Sequence, residues 1–272
     1  MVTLDYLSAV RFSGADAGQF LHNQLSADVL ALYASESTFA CYCEPKGRVL
    51  ALMLVYRNDN DYYVIMSSSL AQAVTDRLRI YVMRSKVSIE LLNECTVSGL
   101  KENEALELAP TSISTIPLPD SSRRLAVRSH EIALATDSSA RTAWKLSELR
   151  KGISWLSTET SGQFLPQMLG FDQLGAVNFR KGCYPGQEIV ARTHYLGKLK
   201  RHPRVLCTEG EIRPAPLEKI QINSSTQSHE AVVVDCEYKE TKESCLLVVT
   251  RMDTDLTAQG IEYQGTTIPL KA

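Results

Sequence analysis

Leu4, Tyr6, Val10 and Phe12 fall on one alternating face near the start of the chain and predict a strand. Ser13-Gly14-Ala15-Asp16 then has the make-up of a capping box, and Phe20, Leu21 and Leu25 supply the inward face of a helix. The polar residues beside them, His22, Asn23 and Gln24, face either a cleft or water. Apolar runs at 49–56 and 62–67 flank Asn58-Asp59-Asn60-Asp61, a cluster of turn formers, and predict a hairpin. Leu70, Val74, Leu78 and Tyr81 recur at helical spacing, after which Val87, Ile89 and Leu91 alternate again. Two strands, a helix and a strand in that order predict helices on a mostly antiparallel sheet. Residues 109–122, with Pro110, Pro117 and Pro119 among many Ser and Thr, read as a loop. Further on, strands at 232–238 and 245–251 surround a charged turn behind Arg213-Pro214-Ala215-Pro216. They predict a closing all-β module, a barrel of about six short strands. The expected class is therefore α+β: an N-terminal α+β unit at 1–95, a second at 96–204 and a β-barrel at 205–272.

Composition narrows the setting. A chain of 272 residues, 44% apolar and 22% charged, can bury a core without staples. No run approaches the ~20 apolar residues of a membrane span. Met1-Val2-Thr3-Leu4-Asp5 lacks the features of a leader, so a cytoplasmic location is expected. Seven cysteines, at 41, 43, 95, 183, 207, 236 and 245, are odd in number and scattered, unlike a disulfide framework. Cys41-Tyr42-Cys43 lacks the second ligand pair of a zinc site and reads as packing on one face of a strand.

The chemistry gathers in one stretch. Residues 176–204 carry seven Lys or Arg against Glu188 alone, so this segment holds about +6 in a chain of net -2. Within it stands Lys181-Gly182-Cys183-Tyr184-Pro185-Gly186-Gln187-Glu188. Arg180 and Lys181 are cationic neighbours that favour a thiolate at Cys183. Pro185 suits the first position of a helix, which would set Cys183 just ahead of a positive helix end. The residues alone leave open a reactive thiol, a metal ligand and an inert turn cysteine. The acidic remainder speaks against direct nucleic-acid binding.

KGCYPGQE, continued by Ile189-Val190-Ala191-Arg192, resembles the K-G-C-Y-x-G-Q-E signature of YgfZ-type folate-binding proteins. Four further blocks resemble that family: FSGADAGQFLHNQLSADV from Phe12, Pro45-Lys46-Gly47-Arg48, SGQFLPQ from Ser161, and Gly197-Lys198-Leu199-Lys200-Arg201. The resemblance spans most of residues 4–204. It implies support of iron–sulfur cluster assembly or repair and, through it, of tRNA modification by iron–sulfur enzymes. It also implies kinship with the aminomethyltransferase of glycine cleavage, with two interleaved α+β units and a C-terminal barrel in a ring around a folate cleft. A folate-dependent aminomethyl-type transferase is the alternative.

By that resemblance Cys183 is the working residue, and Lys181, Gly182, Tyr184, Gly186, Gln187, Glu188 and Arg192 complete the signature. Trp144 matches a folate-side indole, and Leu7, next to Tyr6, stands where the family has a second tryptophan. Arg150 occupies the place of a pterin-binding glutamate, and residues 49–53 lack the transferases' aspartate. The implied cofactor is tetrahydrofolate or a derivative, with no tightly bound metal. The implied partners are iron–sulfur or cluster-assembly proteins, and the chain is expected to be a monomer in no contact with membrane.

Overall fold

The computed structural model describes residues 1–100, 113–119, 122–129, 137–197, 199–224, 227–240, 243–251 and 259–271. After Val2–Thr3 (β1), the chain runs Leu7–Ser13 (β2), helix Ala17–Gln24 (α1), Ser37–Cys43 (β3), Val49–Asn58 (β4) and Asp61–Ser67 (β5). Helix Ser68–Ile80 (α2), Ser88–Leu91 (β6) and Cys95–Leu100 (β7) follow. Strands β2 to β6 form an antiparallel five-stranded sheet in the order β3-β4-β5-β2-β6. The hairpin, α2 and β6 all lie where their periodicity puts them. Tyr42, Phe12, Leu52, Met53, Ile65, Met66 and Leu78 are fully buried here. Burying such a side chain contributes ~1.5–3 kcal/mol, so this sheet and its helices are the mechanical base of the molecule.

The second sheet has the order β1-β7-β9-β8, with Ser114–Pro117 as β8 and Arg124–Ser129 as β9. The strand β8 corrects the loop expected across 109–122. It lies at the sheet's edge and closes with Pro117, where a missing N–H costs no ladder bond. Pro110 lies outside the described residues. β1 pairs with β7 through Val2 opposite Gly99, so the start of the chain belongs to this sheet while β2 belongs to the first. Helix Ser138–Arg150 (α3) starts at Asp137, whose carboxylate accepts from the Ser139 and Ala140 N–H groups at 3.0 and 3.1 Å. It packs between β1 and the third sheet. By contrast Asp16 begins α1 without capping it, because its carboxylate accepts from Lys86 N at 2.7 Å.

Helix Gln187–Tyr195 (α4) precedes the third sheet. Its strands are Arg201–Thr208 (β10), Lys219–Asn223 (β11), Ser228–Lys239 (β12), Glu243–Arg251 (β13), Gly260–Tyr263 (β14) and Thr266–Pro269 (β15). They pair antiparallel in the order β10-β13-β12-β11-β14-β15. Among the described residues the two outer strands meet only at an isolated Thr208–Leu270 bridge, not along a ladder. Cys207 and Cys245 face each other across β10 and β13 and form a disulfide, a pairing the scattered spacing did not suggest. No described helix is long and apolar enough to cross a membrane.

Candidate functional site

The signature loop is built from its anchors upward. The Asn178 side chain accepts from the Arg180 and Lys181 backbone N–H groups at 2.8 and 3.1 Å, which folds the chain into the loop. Asn178 N–H donates to the carbonyl of buried Ser26 at 2.9 Å. Lys181 then turns inward, away from solvent. Its ammonium donates to the Leu25 carbonyl at 2.7 Å and to the His22 carbonyl, two orphan acceptors at the end of α1. It also lies 5.1 Å from the centre of the buried Tyr184 ring. Burial pulls the Lys181 ammonium down to about 8, against the opposing effect of Asp28.

On the other side Gly186 adopts φ +83°. A Cβ there would stand 2.4 Å from the Glu44 carbonyl and 2.6 Å from Gly47 Cα, so the loop docks backbone to backbone on the Pro45-Lys46-Gly47-Arg48 turn. The SGQFLPQ block closes the third side. Val49 N–H donates to the Phe164 carbonyl at 2.9 Å, Gly162 N–H donates to the Val49 carbonyl at 2.8 Å, and Gln167 donates to the Val190 carbonyl of α4 at 2.8 Å. Blocks far apart in sequence thus meet beneath one loop. Lys198, in the fifth block, lies outside the described residues.

The helix begins at Gln187 with Gly186 as its cap, two residues later than Pro185 suggested. The left-handed glycine separates Cys183 from the helix, and a helix-end field falls off within about one turn. Lys181 is likewise engaged by carbonyls. Arg180 remains an exposed neighbour, and Gln187 braces the loop through its side-chain bond to the Lys181 carbonyl at 3.3 Å. Among the described residues Cys183 is the exposed free cysteine. Cys41 and Cys43 are buried on β3 under Tyr184, and burial pushes the Cys43 thiol up to about 12. No cluster of three potential metal ligands occurs among the described residues. His22 lies against the loop: its Nε2 would be 3.8 Å from a Cβ at Gly182, and its Nδ1 is 3.2 Å from Asp28. His22 is thus half-buried against the loop rather than turned to open water.

A second polar centre sits deeper. Glu148 on α3 is 1% exposed and accepts from Tyr6 Oη at 2.8 Å and Trp144 Nε1 at 3.1 Å. Trp155 Nε1 is buried beside the same carboxylate but outside hydrogen-bond alignment. Burial pushes the Glu148 carboxyl up, against the lowering effect of these donors and of Arg123. Next to it a cavity of about 350 Å³ is walled by Tyr6 and Trp155, with Lys145, Asp235 and the hydroxyls of Ser67–Ser69 around it. Lys145 and Asp235 pair at 3.0 Å.

The two expected folate-side positions are not brought together. Trp144 lies against Gly99, with the Arg123 guanidinium 4.6 Å from its ring, and lines a different cavity with Met1 and Val2. Leu7 is buried and lines a third, smaller one. Arg150 faces none of these. It pairs with Glu243 of β13 at 2.5 Å. Glu188 and Arg192 are exposed on α4.

Sequence reasoning missed Glu148, Trp155, Lys145 and Asp235. One signal was available: Glu148 follows Trp144 by four positions, on the same helix face.

Several relatives match about three quarters of the chain. The tRNA-modifying protein YgfZ of Klebsiella pneumoniae is 29% identical over 229 residues, covering 74% of this chain and 69% of that one. The protein of the same name from Colwellia psychrerythraea is 25% identical over 226 residues, with the same coverage. An uncharacterized protein of Haemophilus influenzae is 28% identical over 202 residues, covering 74% of this chain and 70% of its own. No protein-family profile matches. Among solved structures, the glycine cleavage system aminomethyltransferase T of Bartonella henselae superposes with a TM-score of 0.75, covering 99% of this chain and 83% of that one. At 13% identity that likeness is one of fold. The chain is therefore similar to YgfZ proteins in sequence and to an aminomethyltransferase in architecture.

Proposed function

We propose that this protein binds a reduced folate and supports iron–sulfur cluster assembly or repair, and through it iron–sulfur enzymes that modify tRNA. Cys183 is its working thiol. One observation carries the reading: separate sequence blocks that resemble the YgfZ family converge to hold the one exposed free cysteine among the described residues. The relatives' printed name supports the link to tRNA modification.

The cavity walled by Tyr6 and Trp155 suits the folate. Two aromatic walls fit a flat pterin, the Asp235 carboxylate accepts from ring N–H groups, and Lys145 supplies a donor. A bound reduced folate supplies an electron-rich ring and a one-carbon carrier. The residues of this chain bind and orient it there, while Cys183 lines none of these cavities. Aminomethyl transfer is disfavoured, because the first half of β4 is apolar and offers no carboxylate to manage a folate proton.

Complementation of a deletion strain by Cys183→Ser tests the role of the thiol. The variant should keep wild-type stability to within about 1 kcal/mol, since an exposed loop side chain packs little. It should nevertheless fail to restore the iron–sulfur enzymes that modify tRNA, and full rescue would remove Cys183 from the reading. Calorimetric titration with tetrahydrofolate tests the cavity. Saturable binding is expected, weakened about tenfold in Asp235→Asn by loss of a charged acceptor. Absence of binding to the wild type would remove folate.

A further inference from the structure

What reaches Cys183 is written on the helix behind it. Several cations elsewhere on the surface are paired: Arg11 with Asp61, Arg79 with Asp76, Arg150 with Glu243 and Lys219 with Glu230. In the signature segment, Arg180, three residues before Cys183, and Arg192 on α4 are exposed and, among the described residues, make no ion pair; the same holds for Lys200 and Arg201, which follow α4 in the chain. Lys46 extends the group, because the adjacent Gly47 packs against Ile189 of α4.

Beside these cations lie exposed apolar side chains, with Ile189 partly covered by Gly47 and Tyr195 and Leu196 largely open. Ile189 and Arg192, at i and i+3, share one face of α4, and Leu196, the residue that caps its C-terminus, follows at i+7. Leu196 is 83% exposed and Tyr195 63%. Tyr195 is held edge-on by Phe179 and by His194, which stack on each other at 3.8 Å. Exposed apolar and aromatic groups beside basic side chains have the composition of a protein–protein interface. The charge of those basic side chains selects an acidic partner. Tyr195 offers a flat face to a base, but Ile189 and Leu196 beside it are aliphatic and the chain as a whole carries a net charge of -2, which favours a protein over a nucleic acid.

We infer that the exposed face of α4 from Ile189 to Leu196, with its basic rim, is a docking surface for an acidic protein, which it brings against the Cys183 loop. The inference rests on the reading of Cys183 as the working thiol and adds the chemistry of its partner: clustered Asp and Glu around a small apolar depression. Encounter is steered by charge and therefore weakens with salt.

Photo-cross-linking in the cells that make the protein tests it, with benzoylphenylalanine in place of Leu196 as the probe. The expected product is an adduct to another protein, with a cross-linked peptide rich in Asp and Glu. Arg192→Glu combined with Lys200→Glu should weaken that adduct about tenfold or more. Cys183→Ser should leave it unchanged, which separates failure of docking from failure of the thiol's role. A nuclease-sensitive adduct, an adduct to a second copy of this chain, or one indifferent to charge reversal overturns the proposal. So does the absence of any adduct in a variant that melts as the wild type does. The same probe at Tyr195 serves should the first variant fail to fold.

Discussion

The Cys183 loop and the Glu148 cluster use buried polar groups to opposite ends. In the loop, Lys181 and Asn178 are bound inside so that a thiol next to them can stay outside. In the cluster, Tyr6, Trp144 and Glu148 bind one another so that a carboxylate can stay inside. The first arrangement is a rigid mount for an exposed group. The second is a seam joining α3 to the strands around it, next to a cavity large enough for a ring system. Burial alone does not separate them. What separates them is whether the group at the centre is left reachable.

The sharpest way to break this contrast is at Glu148. Glu148→Ala leaves the Tyr6 hydroxyl and the Trp144 N–H unpaired in the interior, at ~1–3 kcal/mol each. A loss of about 3 kcal/mol in urea unfolding is expected, with the rate of iodoacetamide labelling at Cys183 unchanged. Glu148→Gln keeps an acceptor and removes a charge that burial already opposes, so it should lose far less. Equal losses in the two variants would show that the cluster is not held by its acceptor.

Gly186→Ala tests the other side. The left-handed backbone and the 2.4 Å approach to the Glu44 carbonyl together predict a loss of about 2 kcal/mol. Here the labelling rate at Cys183 should change as well, because the loop must lift from the turn beneath it. A stability loss with unaltered labelling would detach the thiol from its mount.

The smallest effect concerns pH. Burial sets the Lys181 ammonium at about 8 in the folded chain, against 10.5 for an ordinary lysine. Between those values the unfolded chain binds the extra proton, so this group's contribution to stability rises with pH there and is flat below 8. The stability difference between wild type and Lys181→Met should therefore widen in favour of the wild type from about pH 8 to 10. Ionisation of buried cysteines and tyrosines is common to both proteins and cancels. A difference independent of pH would mean that Lys181 stays charged throughout.

Much of the fold is legible wherever one face decides the pattern. The hairpin of β4 and β5, helix α2 and the long strands β12 and β13 follow directly from their periodicity. β8 was not legible, because its proline and hydroxyl residues look like a loop until the sheet edge is known. Within the site, Cys183 was marked by its own neighbours in sequence. Its supports were not, since the meeting of Gly47 with Gly186 depends on how distant turns dock. Arg150 was read toward a pterin. Yet two residues past Glu148 on a helix is nearly the opposite side, and the structure puts it there, on Glu243.

The pairing of Val2 with Gly99 gives the molecule an order of birth. As the chain leaves the ribosome, β2 to β6 can complete their sheet among themselves, while β1 waits for β7. The second sheet therefore cannot mature as a later, independent unit: β7 must reach back for Val2 and Thr3, which precede the whole first sheet in the chain. Non-local closure of this kind is slow, and a chain halted before Leu100 carries strand residues without their partner. In the finished molecule Val2 and Thr3 are tied down by β7.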